Sequence, residues 1–130
     1  MKISEIIKIL NAQIYNLEIL DEFDALNFEV NYAFSADLMS DTLFILNKLS
    51  DTSKVSQAML ITGLATTQSI KTAEIVDLPV VLLARGKIPA RSVIDQANDA
   101  GIILLGTDHT VFNVSGILYE KGVKGLTKDG

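Results

Sequence analysis

The sequence predicts a three-layer α/β/α fold with a mainly parallel central sheet. Three short apolar runs support this prediction, and they occupy residues 59–63, 80–84 and 102–106. A polar loop and a helix-compatible segment follow each of the first two runs. Short apolar runs that alternate with helices are typical of parallel strands covered by helices on both faces. We therefore expect these three segments to lie side by side and to point the same way.

The first predicted element is a helix, and weaker strand signals follow it. Apolar residues recur at i, i+3, i+4 and i+7 from Ile3 to Leu10, the spacing of one helix stripe. Residues 13–19 alternate only in part, 21–24 are typical of a turn, and 28–32 alternate between apolar and polar side chains. We expect a strand pair here, either a hairpin or two adjacent strands.

An unusually apolar helix is predicted over residues 38–49. Ser35 is a good N-cap, and Asp37 would stand in the first turn, where the helix dipole favours an anion. Apolar side chains then cover more than one stripe of this helix. Such a helix is either buried within the monomer or packed against a second subunit, and we expect a homodimer. A polar loop, 51–54, leads to the first central strand.

The central units carry their own start and stop signals. Thr66 or Thr67 can cap the first helix, and Pro79 begins the second strand. Pro89 suits the first position of the next helix, and Gly101 suits its end. The predicted inward residues of these two helices are Ile70, Ala73 and Val76, then Val93, Ile94, Ala97 and Ala100.

A last helix is predicted after the third strand. Asp108 is its expected N-cap and Gly122 its end, and the tail from Lys124 to Gly130 is expected to be mobile. No linker divides the chain, so residues 1–130 are predicted to form a single domain. The expected inner face of the last helix is Val111, Phe112, Ser115, Leu118 and Tyr119.

Composition limits the classes of function. The 130 residues are 48% apolar and 21% charged, as in ordinary globular domains. No apolar run reaches about 18 residues, so no membrane span is expected. The charged start of the chain argues against a signal peptide. Cys is missing, which excludes disulfides and thiolate metal sites, and we expect a cytoplasmic protein.

The charge of the chain is acidic and uneven. A net charge of −5 argues against nucleic-acid binding, which needs a basic face. No Lys or Arg occurs between Ile9 and Asn47, whereas seven acidic residues lie there. This stretch is either a solvated acidic face or a surface that docks a larger enzyme partner.

A candidate ligand site lies where the three predicted strands end. Ligands of open parallel sheets bind beyond the carboxyl ends of the strands, and the loops there are 62–68, 85–87 and 106–109. Their hydroxyls, helix-start N–H groups and cations suit a phosphate or a carboxylate. Alternatively, these are only the turn and cap residues that every βα unit needs. The candidate ligand-binding residues are Thr62, Gly63, Thr66, Gln68, Arg85, Gly86, Lys87, Thr107 and His109.

No set of residues stands out as catalytic. His109 is the only His, and a lone His without a nucleophile partner is more often structural than a general base. Asp37 and Asp41 stand four residues apart and could share a Mg²⁺ or act as an acid/base pair, although solvated carboxylates are the simpler interpretation. The two-Gly spacing of 101–106 resembles a P-loop only by coincidence, since no Lys-Ser/Thr follows. We expect no cofactor, no metal site and no enzymatic activity.

Several short segments occur in a distinctive order: SADLMSD at 35–41, LITGL at 60–64, TAEI at 72–75, VLLARGK at 81–87, GI at 101–102 and GILY at 116–119. Together and in this order they resemble DRTGG domains. Such domains are similar to the N-terminal region of HPr kinase/phosphorylase. They also occur in phosphate acetyltransferases and between the CBS domains of some inorganic pyrophosphatases. The letters Asp-Arg-Thr-Gly-Gly are missing here, and only Thr62-Gly63 matches their core.

The resemblance implies a non-catalytic domain associated with regulation, dimer contacts and, in some pyrophosphatases, adenine-nucleotide control. We therefore predict a regulatory module that forms a homodimer and binds a small phosphorylated metabolite or an adenine nucleotide. The alternative is a protein–protein interaction subunit without a small ligand. A small enzyme that uses Asp37, Asp41 or His109 is a minor alternative.

Overall fold

A six-stranded sheet forms the centre of the protein. The structure is a computed structural model, and its description covers residues 1–17, 21–47 and 52–126. The strands lie in the order β1-β5-β4-β3-β2-β6, and every pairing except that of β1 with β5 is parallel. The predicted mainly parallel sheet is thereby confirmed. The strands are β1 Gln13–Ile14, β2 Tyr32–Ser35, β3 Ala58–Thr62, β4 Val80–Leu83, β5 Ile103–Gly106 and β6 Lys124–Gly125.

The three predicted central segments are β3, β4 and β5, and they are adjacent and parallel. Every residue of these strands is buried, which explains why they are continuous apolar runs in the sequence. In the register of the sheet, Thr62 lies beside Leu83, and Leu83 lies beside Gly106. The carboxyl ends of the three strands therefore meet at one edge.

Helices cover both faces of the sheet, as predicted. Leu60 and Val81 pack on one face with residues of α3, α4 and α5, and Ile61 and Leu82 pack on the other with residues of α1, α2 and α6. No helix within the described ranges is long and apolar enough to cross a membrane. The helices are α1 Ile3–Leu10, α2 Glu22–Asn27, α3 Met39–Leu46, α4 Thr67–Ile75, α5 Arg91–Ala100 and α6 Val111–Glu120, and a 3-10 helix spans Thr52–Gln57.

Most start and stop signals of the central helices act as predicted. The Thr66 side chain caps α4 by accepting the N–H of Ser69 at 3.2 Å. Gly101 ends α5 in the left-handed conformation, with φ of 69°. Pro89, however, lies outside α5, which begins at Arg91. Among the predicted inward residues, Val76, Ile94 and Ala100 are half-buried, and the others are buried.

Each of the two segments predicted as strands near the N-terminus contains the start of a strand, but their predicted pairing is wrong. The predicted turn is the start of α2, because Asp21 caps this helix by accepting the N–H of Asp24 at 3.0 Å. The strand expected at 28–32 begins only at Tyr32, as β2. Since β1 pairs with β5 and β2 with β3, the two strands form neither a hairpin nor a neighbouring pair. Residues 18–19, the end of the first predicted strand, lie outside the described residues.

The start of α3 also differs from the prediction. Ser35 is the last residue of β2, where it lies beside Ile61, and α3 begins at Met39. Pairing with β3 therefore prevails over the capping tendency of Ser35. Asp37 lies in the connection between β2 and α3, so Asp37 and Asp41 do not share a helix face.

One side of α3 is buried and the other is exposed. Leu38, just before the helix, and Phe44 within it are 60% and 62% exposed. Residues 48–51, which include the predicted end of this helix, lie outside the described residues, and the rest of the predicted loop begins the 3-10 helix. The buried residues of α3 are Met39, Thr42 and Leu46.

The cap of α6 is Thr110 and not Asp108. The Thr110 hydroxyl accepts the N–H of Asn113 at 3.3 Å, whereas Asp108 lies two residues farther from the helix. Gly122 follows the helix with φ of 98°, in agreement with its predicted role.

The inner face of α6 is only partly the predicted one. Val114 and Leu118 are buried against the sheet, but Phe112 and Tyr119 are 84% and 74% exposed. Because α6 is apolar on most sides, its periodicity does not select one face. The other two predicted residues, Val111 and Ser115, are half-buried.

Two segments at the ends of the described chain are fixed to the sheet. Lys124 and Gly125 form β6 beside β2, and Leu126 is buried, although we expected a mobile tail from Lys124 onwards. Residues 127–130 lie outside the described residues.

After β1, the buried side chain of Asn16 donates to the Ile102 carbonyl at 2.6 Å and accepts from the N–H of Leu104 at 3.1 Å. Asn16 thereby fastens the N-terminal segment to the sheet.

Candidate ligand-binding site at the carboxyl edge of the sheet

Asp37 connects two of the predicted site loops at the carboxyl edge of the sheet. Its Oδ1 accepts the Gly63 N–H at 2.7 Å and the Thr62 hydroxyl at 3.2 Å. Its Oδ2 accepts from Arg85 Nη1 at 3.2 Å, which makes an ion pair. We call Asp37, Thr62, Gly63 and Arg85 the Asp37 cluster. Its donors follow β3 and β4, and its carboxylate follows β2, so three adjacent strands position it.

Gly63 is required by the close approach of Arg85. The guanidinium lies over the Cα of Gly63, and any Cβ at this position would overlap it. Arg85 Nη2 also donates to the Gly63 carbonyl at 3.4 Å. The missing side chain of Gly63 therefore allows Arg85 to reach Asp37.

The Asp37 carboxylate is stabilised in its charged form. The Gly63 N–H lowers the pKa of Asp37 below its ordinary value of 3.8, and the Thr62 hydroxyl and the Arg85 cation lower it further. Partial burial acts in the opposite direction and is outweighed. Asp37 is therefore ionised at neutral pH.

Arg85 and Gly86 form a tight turn that joins the loops after β4 and β5. Both residues have positive φ, of 64° and 67°, which is unusual for Arg85. The Arg85 N–H donates to the His109 carbonyl at 2.8 Å, and the Gly86 N–H donates to the Thr107 carbonyl at 2.9 Å. These bonds hold the Arg85 backbone in a conformation that aims its side chain toward Asp37.

A second part of the edge is a cavity of about 220 Å³ next to β1. The ring of Tyr15 lies against Gly106, where a Cβ would come within 2.7 Å of the ring. Lys87 supplies a cation and Asp108 an anion to the wall. A neighbouring cavity of about 240 Å³ shares Asn11 and Asp108 with it and includes His109. The first cavity is lined by Asn11, Gln13, Tyr15, Gly86, Lys87, Ile88, Gly106, Thr107 and Asp108.

The structure divides the predicted site residues into groups. Thr62, Gly63 and Arg85 belong to the Asp37 cluster. Gly86, Lys87 and Thr107 line the first cavity, and His109 lines the second. Thr66 and Gln68 lie at the start of α4, where the Thr66 side chain is engaged as the cap and Gln68 is exposed.

The Thr107 hydroxyl has a structural partner. It is buried and donates to the Leu10 carbonyl at 2.8 Å, which ties the end of α1 to the loop after β5. Thr107 is thus less available to a ligand than the exposed Lys87 beside it in the cavity wall.

A solved structure of similar fold is the regulatory region of Clostridium perfringens pyrophosphatase, which contains CBS and DRTGG domains and was determined with its activator, diadenosine tetraphosphate. The chain folds like part of that region. The TM-score is 0.66 at 17% identity, over 90% of this chain and 45% of the other. The resemblance to DRTGG domains is thereby confirmed at the level of fold. The chain spans less than half the length of that structure, and comparisons with protein-family models and with curated proteins give no match.

Within this DRTGG-like fold, sequence reasoning missed two side chains at the edge. Asp37 was considered as a partner of Asp41, but its partner is Arg85. Tyr15 was placed in a strand without a role at the site. The position of Asp37 just after the end of β2, comparable to that of Gly63 after β3, is a signal for the site, but it can be used only once β2 has been located. Among the described residues, no group of three or more His, Cys, Asp or Glu could hold a metal ion.

Proposed function

We propose that this chain is a non-catalytic, cytoplasmic regulatory module that binds a small phosphorylated ligand at the carboxyl edge of the sheet. The observation that carries the proposal is the donor set of the Asp37 cluster. A main-chain N–H, a hydroxyl and a guanidinium are the groups with which proteins bind phosphate. Arg85 is 42% exposed at its side chain, which leaves it accessible from solvent.

An adenine nucleotide is the first candidate ligand. Support comes from the cavity beside β1, where the Tyr15 ring could stack on a base and Lys87 could pair with a phosphate. Diadenosine tetraphosphate is the activator in the pyrophosphatase structure of similar fold, which makes adenine nucleotides the natural first probes.

A thermal-shift and calorimetric titration tests the ligand. ATP, AMP, diadenosine tetraphosphate and inorganic phosphate are the probes, and a ligand at roughly 100 times its dissociation constant should add about 2.7 kcal/mol to the free energy of unfolding. Arg85→Ala or Lys87→Ala should weaken the effect. Lys71→Ala, an exposed Lys on α4, is the matched control and should leave it unchanged. If no probe shifts the unfolding transition, the ligand proposal is wrong.

We further propose a homodimer that involves the exposed side of α3. The exposure of Leu38 and Phe44 supports this choice of surface. Light scattering should give twice the monomer mass, and Phe44→Glu should halve it. Phe112→Glu makes the same change on α6, where the side chain is more exposed, and it should leave the mass unchanged. If Phe112→Glu alone gave a monomer, the interface would lie on α6 and not on α3. A wild-type monomer would instead favour the alternative of a subunit that docks a larger enzyme.

A further inference from the structure

The Asp37 carboxylate occupies the position in which an external anion would bind. It accepts three donors from three different residues: the Gly63 N–H, the Thr62 hydroxyl and the Arg85 guanidinium. A phosphate oxygen group would use the same donors. The chain itself thus supplies the anion for this donor set.

The donors and the carboxylate differ in burial and in backbone anchoring. Thr62 and Gly63 are buried, and they end or follow the central strand β3. Arg85 follows β4, and its N–H is fixed by the His109 carbonyl at 2.8 Å. Asp37, in contrast, is an exposed residue in the connection between β2 and α3. The Thr62 hydroxyl and the Gly63 N–H therefore keep their positions if the carboxylate leaves, and the anchored backbone of Arg85 keeps its guanidinium within reach of them.

The Asp37–Arg85 pair is also accessible. The two side chains are 48% and 42% exposed, so a ligand can approach the guanidinium from solvent. Ion pairs with this exposure are weak, and salt screens them further. A phosphate group carries more charge and more acceptor oxygens than a carboxylate, so it can compete for the same donors.

The Arg85 backbone gives an independent indication. A residue with a side chain rarely adopts positive φ, and such conformations concentrate at functional sites. Here the conformation directs the guanidinium across Gly63, where no side chain blocks it. The backbone conformation of Arg85 therefore places its guanidinium at the carboxyl edge of the sheet.

We propose that Asp37 is an internal competitor for the anion site, so that the phosphate group of a ligand binds Arg85, Gly63 and Thr62 by displacing the Asp37 carboxylate. Displacement frees the part of the β2–α3 connection that follows Ala36, whose N–H stays bonded to the Ile61 carbonyl at 3.0 Å. The inference rests on the proposed function in one respect, namely that the ligand carries a phosphate group.

The test compares ATP and inorganic phosphate binding, by calorimetry at low ionic strength, in wild type, Asp37→Asn and Asp37→Ala. Removing the competing charge should tighten binding by about tenfold, which corresponds to about 1.4 kcal/mol. Asp41→Asn removes the same charge from α3 without touching the cluster, and it should change the affinity by less than about twofold. The double variant Asp37→Asn/Arg85→Ala should lose the gain.

A second measurement follows the amide of Gly63 by NMR. In Asp37→Ala this amide loses its acceptor, and phosphate should shift its resonance back toward the wild-type position, because a phosphate oxygen then accepts the same N–H. Asp37→Asn and Asp37→Ala alter an exposed side chain, so we expect both variants to be folded. Their amide spectra verify this.

Each outcome is decisive. If wild type binds and neither Asp37 variant binds more tightly, the inference is wrong and the proposed function stands. If only the Asp37 variants bind, the inference is supported, and the Asp37 carboxylate competes strongly enough to prevent binding in wild type. If no variant binds either probe, the phosphate site and the inference both fail. If Asp41→Asn raised the affinity as much as Asp37→Asn does, the change in net charge alone would explain the effect, and the inference would be overturned.

Discussion

Gly63 illustrates, at the scale of single residues, how one missing side chain fixes a neighbour. We predict that Gly63→Ala leaves the protein folded, because the overlapping atoms belong to the flexible end of Arg85 and φ of Gly63 is not positive. Arg85 should swing away from Asp37. The pKa of Asp37 should then rise toward its ordinary value, and stability should fall by no more than about 1 kcal/mol. An NMR titration of Asp37 and urea unfolding measure both effects.

Gly116 provides the matched control for this substitution. It lies within α6, and a Cβ there would meet nothing within 4 Å. Gly116→Ala should therefore leave the pKa of Asp37 unchanged and stabilise the protein by about 0.5–1 kcal/mol. If the two alanine variants behaved alike, the contact between Gly63 and Arg85 would not be the cause.

Asp37 should make stability depend on pH. Its pKa is lower in the folded protein than its ordinary value of 3.8, so its contribution is fully present above that value. The contribution is lost as the pH falls through the folded pKa. In urea unfolding, wild type should have a higher free energy of unfolding than Asp37→Asn at neutral pH, and this difference should vanish in strong acid. A difference that is constant over the whole range would contradict the assigned hydrogen bonds.

At the scale of elements, the start of α6 distinguishes two possible caps. Thr110→Ala should lower the free energy of unfolding by about 1 kcal/mol, because the N–H of Asn113 loses its acceptor. Asp108→Ala should change it by less than about 0.5 kcal/mol. Chemical denaturation of both variants checks this. A larger loss in Asp108→Ala than in Thr110→Ala would instead identify Asp108 as the cap.

The elements that sequence reasoning located best are those with an unambiguous local signal. β3, β4 and β5 are continuous apolar runs because both faces are covered, and α1 has a clear apolar stripe. The predicted inner face of α6 is partly wrong, since apolar residues surround most of the helix and its periodicity favours no single face. The sequence predicts a turn at the start of α2, because Asp21 and the acidic residues after it suit both a turn and a capped helix start.

The candidate site was predictable to the same extent as the strands that form it. Thr62 ends one of the strands that the apolar runs identify, and Arg85 follows another, so their convergence is predicted. Asp37 follows β2, a half-buried strand whose position depends on parallel pairing with a distant segment. Local alternation does not encode such pairing, and the ion pair of Asp37 with Arg85 was missed for this reason.

At the scale of the whole molecule, Asn16 joins segments that are far apart in the chain. Asn16→Ala would leave the Ile102 carbonyl and the Leu104 N–H without their side-chain partner inside the protein. We expect a loss of about 1–3 kcal/mol in the free energy of unfolding. Asn31→Ala removes an exposed hydrogen bond to Gln57 and should cost much less in the same urea experiment. Equal losses would argue against the role of Asn16.

The strand order of the sheet explains why local sequence patterns could not predict the overall topology. The chain places β1 at one edge of the sheet and β2 near the other, and it fills the centre only afterwards. Neighbouring segments of sequence are therefore separated in space, and the pairings that decide the topology are long-range.

The outermost strands have a consequence for association between molecules. Within residues 1–17, 21–47 and 52–126, β1 and β6 are the two edges of the sheet, and each is two residues long. β6 also carries a Lys and a Gly, which are poor templates for an incoming strand. An unfolded or foreign β-segment would thus find too few open backbone groups to extend the ladder, so the native protein should resist seeding of fibrils even though its central strands are highly apolar.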